Sequence, residues 1–133
     1  MFRLEKQYAK QKIAHAKAEA PNECCGVLAG ESGKITKLFR ATNAEMSPVR
    51  YNIDSRELLH IYQEIERKGW EFLGIYHSHT HSQAYPSSTD VQLALWPDSI
   101  YFIVSLMDKE RPQIRAFRII DEVISEEDLE VEA

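Results

Sequence analysis

Apolar residues recur early in the chain at steps of four, three and four: Ala9, Ile13, Ala16 and Ala20, with Lys and Gln between them. That spacing lays them along one face of a helix over residues 5–20, and Pro21 stops it. The period then changes. Cys25-Gly26-Val27-Leu28-Ala29 is a short apolar run closed by Gly30, Glu31-Ser32-Gly33 has turn chemistry, and residues 34–40 alternate. Together they predict a β-hairpin. Residues 43–48 read as a loop and Tyr51-Asn52-Ile53 as a short extended piece. Asp54 is a helix N-cap, with Glu57 three residues on to complete a capping box. Leu58, Ile61, Tyr62 and Ile65 form the apolar face of that second helix, and Gly69 ends it.

Residues 70–76 form a strand that runs straight into His77. A polar stretch, 78–88, precedes a short helix over 89–95 that Pro97 terminates. Ile100-Tyr101-Phe102-Ile103-Val104-Ser105-Leu106 is the strongest strand pattern, and its unbroken apolar run implies burial on both faces. A turn at 108–111 leads to a strand over 114–120, and a last short strand falls at Val123-Ile124. Helices and strands mix without a regular βαβ rhythm, which predicts an α+β, or mixed α/β, layered fold. At 133 residues the chain fits one domain spanning 1–133.

Composition narrows the function. A domain of this size buries roughly two thirds of its unfolded surface, so it folds without disulfides. Net charge is −5, from 16 basic and 21 acidic residues. Much of the excess lies in Asp121, Glu122, Glu126, Glu127, Asp128, Glu130 and Glu132, which read as a solvated acidic tail. No basic stripe suits nucleic acid, and no apolar run reaches the ~20 residues needed to cross a membrane. The two cysteines, Cys24 and Cys25, are adjacent, and the N-terminus lacks the apolar core of a signal peptide. A cytoplasmic protein is expected. Cys25 packs as a small apolar residue, whereas Cys24 stands where it could line a cleft and compete for a metal. Trp70, Trp96, Tyr101 and Phe102 are expected in the core, and His15 and His60 as structural histidines.

The candidate chemistry lies between Gly74 and Asp90. On an extended chain side chains alternate, so His77 and His79 share one side. Asp90 falls in the first turn of the next helix, from which a short loop can fold its carboxylate back toward them. Two nitrogens and one oxygen suit zinc, and three protein ligands leave a fourth position for water, as in catalytic sites. Zinc lowers the pKa of bound water toward ~7 and polarises a carbonyl. Amide hydrolysis then needs a group to carry a proton from water to the leaving amine, and a donor for the developing oxyanion. Glu23, between a helix-stopping Pro and a buried strand, is the candidate for the first, and Ser87 for the second. Ser87, Ser88 and Thr89 all compete to cap the helix near Asp90. His81 shares the alternation with His77 and His79 and is an alternative third ligand.

A Glu far upstream, His77-Ser78-His79, seven residues, Ser87, two residues and Asp90 resembles the JAMM (MPN+) metalloprotease motif. The segments Glu23-Cys24-Cys25-Gly26-Val27-Leu28, 52–58, 74–79 and Ser105-Leu106 are similar to the same family. The resemblance implies an MPN fold: a curved, mostly antiparallel β-sheet flanked by helices, cytidine-deaminase-like. It implies zinc held by His77, His79 and Asp90, with Glu23 as general base then acid and Ser87 stabilising the tetrahedral intermediate. It implies cleavage after the C-terminal glycine of a ubiquitin-like protein. The chain lacks the two insertions of eukaryotic deubiquitinating members and resembles the compact prokaryotic branch, which acts on small sulfur-carrier proteins with a Gly-Gly tail, for example releasing cysteine. Thr80 stands where the family usually has Pro. A non-catalytic MPN scaffold and a zinc hydrolase of a small non-protein amide are the alternatives.

Overall fold

The computed structural model of the chain describes residues 2–132. The elements in order are β1 (Phe2–Glu5), α1 (Lys6–Glu19), β2 (Cys25–Glu31), β3 (Lys34–Ala41), α2 (Ser55–Lys68), β4 (Glu71–His79), α3 (Ser88–Gln92), β5 (Ile100–Ser105), β6 (Gln113–Ile120), β7 (Val123–Glu127) and β8 (Leu129–Glu132). Six of the strands form one sheet in the order β3-β2-β4-β5-β6-β7. Strands β4 and β5 run parallel and every other neighbouring pair antiparallel. The fold is α+β, as the pattern implies, with a mostly antiparallel sheet, as the resemblance implies.

Because side chains alternate along a strand, the sheet carries two apolar faces. Leu28, Tyr76, Phe102 and Val104 pack on one side with Tyr8, Ala9 and Ala16 of α1. Val27, Ile75 and Tyr101 pack on the other with Ile61 and Ile65 of α2. Every position of β5 is buried, as its unbroken apolar run requires. Close packing also explains Gly26, where a Cβ would run into the Tyr76 ring and the Phe39 carbonyl. Helix α2 is capped by the Asp54 carboxylate, which accepts from the amides of Arg56 and Glu57, and it ends on Gly69 at φ 70°.

Several expectations change. The buried face of α1 is Tyr8, Ala9, Lys12, His15 and Ala16, while Ile13 is half-buried and Ala20 exposed. Two polar residues therefore lie on the face that packs, and the helix sits rotated from its apolar spacing. Glu57 does not close a capping box; it accepts from the Thr42 amide and ties α2 to the end of β3. The acidic C-terminal segment is not merely a solvated tail. Strand β7 carries Glu126 and Glu127 to Arg115 and Arg118 of β6, and β8 pairs in parallel with β1, a strand the hydrophobic pattern gave no sign of. Trp70 and Trp96 are half-buried edges of the α2-side core rather than members of it, whereas Tyr101 and Phe102 are buried. His15 is structural: Nδ1 lies 2.7 Å from the Tyr76 hydroxyl. His60 is exposed.

Candidate metal and catalytic centre

Strand β4 runs three residues past Tyr76, so both His77 and His79 stand on it, on the α2 side of the sheet. The Cys24 amide donates to Ser78 Oγ at 2.8 Å, and the Ser78 amide to the Cys24 carbonyl at 3.2 Å. These bonds zip the end of β4 to the residue after Glu23. Thr80 continues the seam, its hydroxyl donating to the Pro21 carbonyl at 3.1 Å. The family's usual Pro could make no such bond, and Thr80 takes its place with a contact that closes the loop.

Asp90 reaches the histidines from α3. The Asp90 amide donates to Ser87 Oγ at 3.1 Å, and the Ser87 amide to Asp90 Oδ2 at 2.9 Å. Ser87, rather than Ser88 or Thr89, is thus the N-cap, and the Ser-x-x-Asp spacing is a closed capping box. The same Oδ2 lies 3.1 Å from His77 Nε2 and 2.9 Å from His79 Nε2, and the two Nε2 atoms are 3.2 Å apart. His79 Nδ1 is 2.8 Å from the Gln83 carbonyl, which can only accept. That nitrogen therefore carries the ring hydrogen and Nε2 presents a lone pair. Two ring nitrogens and a carboxylate oxygen converging this closely form a donor set suited to a cation. Edges of 2.9–3.2 Å fit one ion with bonds of about 2.0–2.1 Å. His77, His79 and Asp90 are all buried and form a group that could hold a metal ion. His81 lies outside that group. Its Nδ1 donates to Thr80 Oγ1 at 2.9 Å, and its ring is exposed at the rim.

Burial and the neighbouring groups shift each of these side chains. Burial works to raise the Asp90 carboxyl, but His77, His79 and the Ser87 amide overcome it and hold the group well below the usual carboxylate range. Burial lowers His77 toward the neutral form that ligates, while Asp90 pulls the other way. Burial also lowers His79, and the bonds to Asp90 and Gln83 outweigh it and raise the ring. Glu23 is 3% exposed and its Oε1 has no hydrogen-bond partner. Burial pushes its carboxyl up to about 8, against the pull of His79 and with the push of Asp90. Buried polar atoms without partners are rare, and Glu23 is among the residues that line a cavity with His79, His81 and Ser87, about 470 Å³ in volume. Cys24 does not enter the cleft. It is buried under α1, and burial pushes its thiol up to about 12, so no thiolate competes for a metal. Cys25 packs on the opposite, α2-side core.

Residues 5–120 match the family described as prokaryotic homologs of the JAB domain. The chain belongs to this family.

Among the relatives of this JAB-domain chain, the CysO-cysteine peptidase of Mycobacterium tuberculosis is 44% identical over 121 residues, covering 90% of this chain and 83% of the relative. The desampylase of Haloferax volcanii is 40% identical over 100 residues, covering 70% and 72%. A solution structure of a Desulfitobacterium hafniense protein superposes with a TM-score of 0.89 at 32% identity, over 99% of this chain and 93% of the other. A JAB1/MPN domain protein from Archaeoglobus fulgidus shares the fold, with a TM-score of 0.68 at 19% identity over the full length of both.

Three contributors to the JAB-domain site escape sequence reasoning. Tyr51 stacks on His77 with ring centroids 4.3 Å apart and an interplanar angle of 19°. Gln83 acts through its carbonyl, and Asn43 through the hydrogen bond from its Nδ2 to the Glu23 carbonyl. The Tyr51-Asn52-Ile53 segment also walls a second depression of about 140 Å³, completed by Arg50, Leu93 and Trp96. Only the extended character of 51–53 is legible; its approach to His77 is set by the fold.

Proposed function

We propose that this JAMM-type peptidase holds one zinc ion on His77, His79 and Asp90 and cleaves the peptide or isopeptide bond after the C-terminal glycine of a small ubiquitin-like sulfur-carrier protein. The observation that carries the reading is the convergence of two Nε2 atoms and one carboxylate oxygen within 3.2 Å, beside a cavity lined by His79 and by Glu23, whose buried Oε1 has no hydrogen-bond partner. The names of the relatives, a CysO-cysteine peptidase and a desampylase, support the substrate class.

Bound there, zinc would supply a lowered pKa for water and a polarised scissile carbonyl. This chain's own residues supply the rest. The Glu23 carboxylate, on the cavity wall, accepts a proton from the attacking water and returns it to the leaving amine; no hydrogen bond ties its Oε1. The Ser87 oxygen is occupied as acceptor by the Asp90 amide, so its hydrogen is left to donate to the oxyanion. Both depressions are lined in part by the 43–53 loop, which suits a tail bound extended with glycines where side chains do not fit.

Glu23→Gln is expected to keep the fold and the zinc but lose turnover by about 10²–10⁴-fold on a carrier protein extended past its Gly-Gly tail. Release of the extension, followed by mass spectrometry, reads it. Turnover equal to wild type would remove Glu23 from the mechanism.

A further inference from the structure

Asn43 connects the loop that walls both depressions to the proposed base. Its side chain is buried, at 8% exposure, and spends its whole hydrogen-bonding capacity. Nδ2 donates to the Glu23 carbonyl at 3.1 Å and to the Arg50 carbonyl at 3.0 Å. Oδ1 accepts from the amides of Glu45 at 3.0 Å and Asn52 at 3.1 Å. The Glu23 amide in turn donates to the Ser47 carbonyl at 2.9 Å.

Glu23 lies just before β2, outside any helix or strand, so no ladder fixes its backbone. Both of its backbone polar groups are held instead by residues 43–47, one of them through the Asn43 side chain. Glu23 Oε1 has no bond of its own to hold the carboxylate in place. The aim of that carboxylate therefore depends on where the backbone is held. We infer that Asn43 is a positioning residue, which registers the Glu23 backbone against the 43–53 loop and so sets the carboxylate at the reacting centre. The inference rests on Glu23 being the base.

Asn43→Asp tests it with little change of shape. The variant keeps the Oδ1 acceptor but turns two donations to carbonyl oxygens into repulsions. An error of about 1 Å in a reacting group costs on the order of 10²-fold. The expected result is kcat lower by about that factor, with KM and zinc content close to wild type. In the metal-free protein, residue-resolved hydrogen exchange is expected to quicken at the Glu23 amide. Asn43→Ala, which removes all four bonds, should show the same split between kcat and KM.

Turnover of Asn43→Asp within threefold of wild type overturns the inference. So does a rise in KM with kcat unchanged, which would make Asn43 a loop organiser for substrate alone. Loss of zinc or of cooperative melting in both variants would assign Asn43 to the fold and overturn it too. Glu23→Gln run alongside separates the two levels. An inert Glu23→Gln with an unimpaired Asn43→Asp sinks only the role of Asn43, whereas an active Glu23→Gln removes the base and this inference with it.

Discussion

Ser87 shows how one residue serves structure and chemistry at once. Its oxygen caps α3 and holds the Asp90 backbone, while its amide helps aim Oδ2 at the histidines. Glycine is tolerated at an N-cap, at a cost of a few tenths of a kcal/mol, but has no hydroxyl to donate. Ser87→Gly is therefore expected to melt close to wild type and to lose about 10²–10³-fold in kcat. Turnover within tenfold of wild type would leave Ser87 only its capping role. At this scale the sequence is legible where spacing encodes geometry. The alternation of His77 and His79 and the Ser87-x-x-Asp90 step each correspond to a local structure that sets the side chains. Tyr51, Asn43 and the Gln83 carbonyl are not legible, because they reach the site through tertiary approach and leave no local period.

Helix α1 carries an unusual element of the fold. Lys12 is fully buried, its Nζ has no hydrogen-bond partner, and it lies 3.4 Å from the centroid of the Phe102 ring. Burial lowers its amine well below the usual lysine range. The unfolded chain therefore binds a proton that the folded chain releases over the interval between the two values. Stability must rise with pH across that interval and level off above the usual lysine pKa. Lys12→Met is expected to raise stability at neutral pH by about 1–3 kcal/mol and to flatten the rise. Equal stability of the two proteins from neutral to alkaline pH would refute this. The same residue explains why the apolar spacing of α1 misplaces its buried face. A pattern built from Ala9, Ile13, Ala16 and Ala20 cannot see that Lys12 and His15 are the ones covered by the sheet. Strands β2 to β6 and helix α2, with strong local patterns, lie where the sequence places them to within a few residues. Helix α3 is shorter, ending at Gln92, and the short edge strands β1 and β8 depend on each other across the length of the chain.

At the scale of the whole molecule, the site joins four separate stretches: Glu23 ahead of β2, the end of β4, α3, and the 43–53 loop. A metal that binds only where these meet must stabilise the folded state, by about 2.7 kcal/mol at a free concentration 100 times its dissociation constant. Zinc is expected to raise the melting temperature of the wild type and to leave a His77→Ala/His79→Ala variant unmoved. A shift of equal size in both would place the ion elsewhere. The central claim, that this family member carries a catalytic zinc on these three residues, is tested most directly by elemental analysis of purified wild type and of that double variant. The account predicts about one zinc per wild-type chain and none in the variant. A folded wild type that holds no zinc after zinc is supplied would contradict it and leave the chain a non-catalytic MPN scaffold.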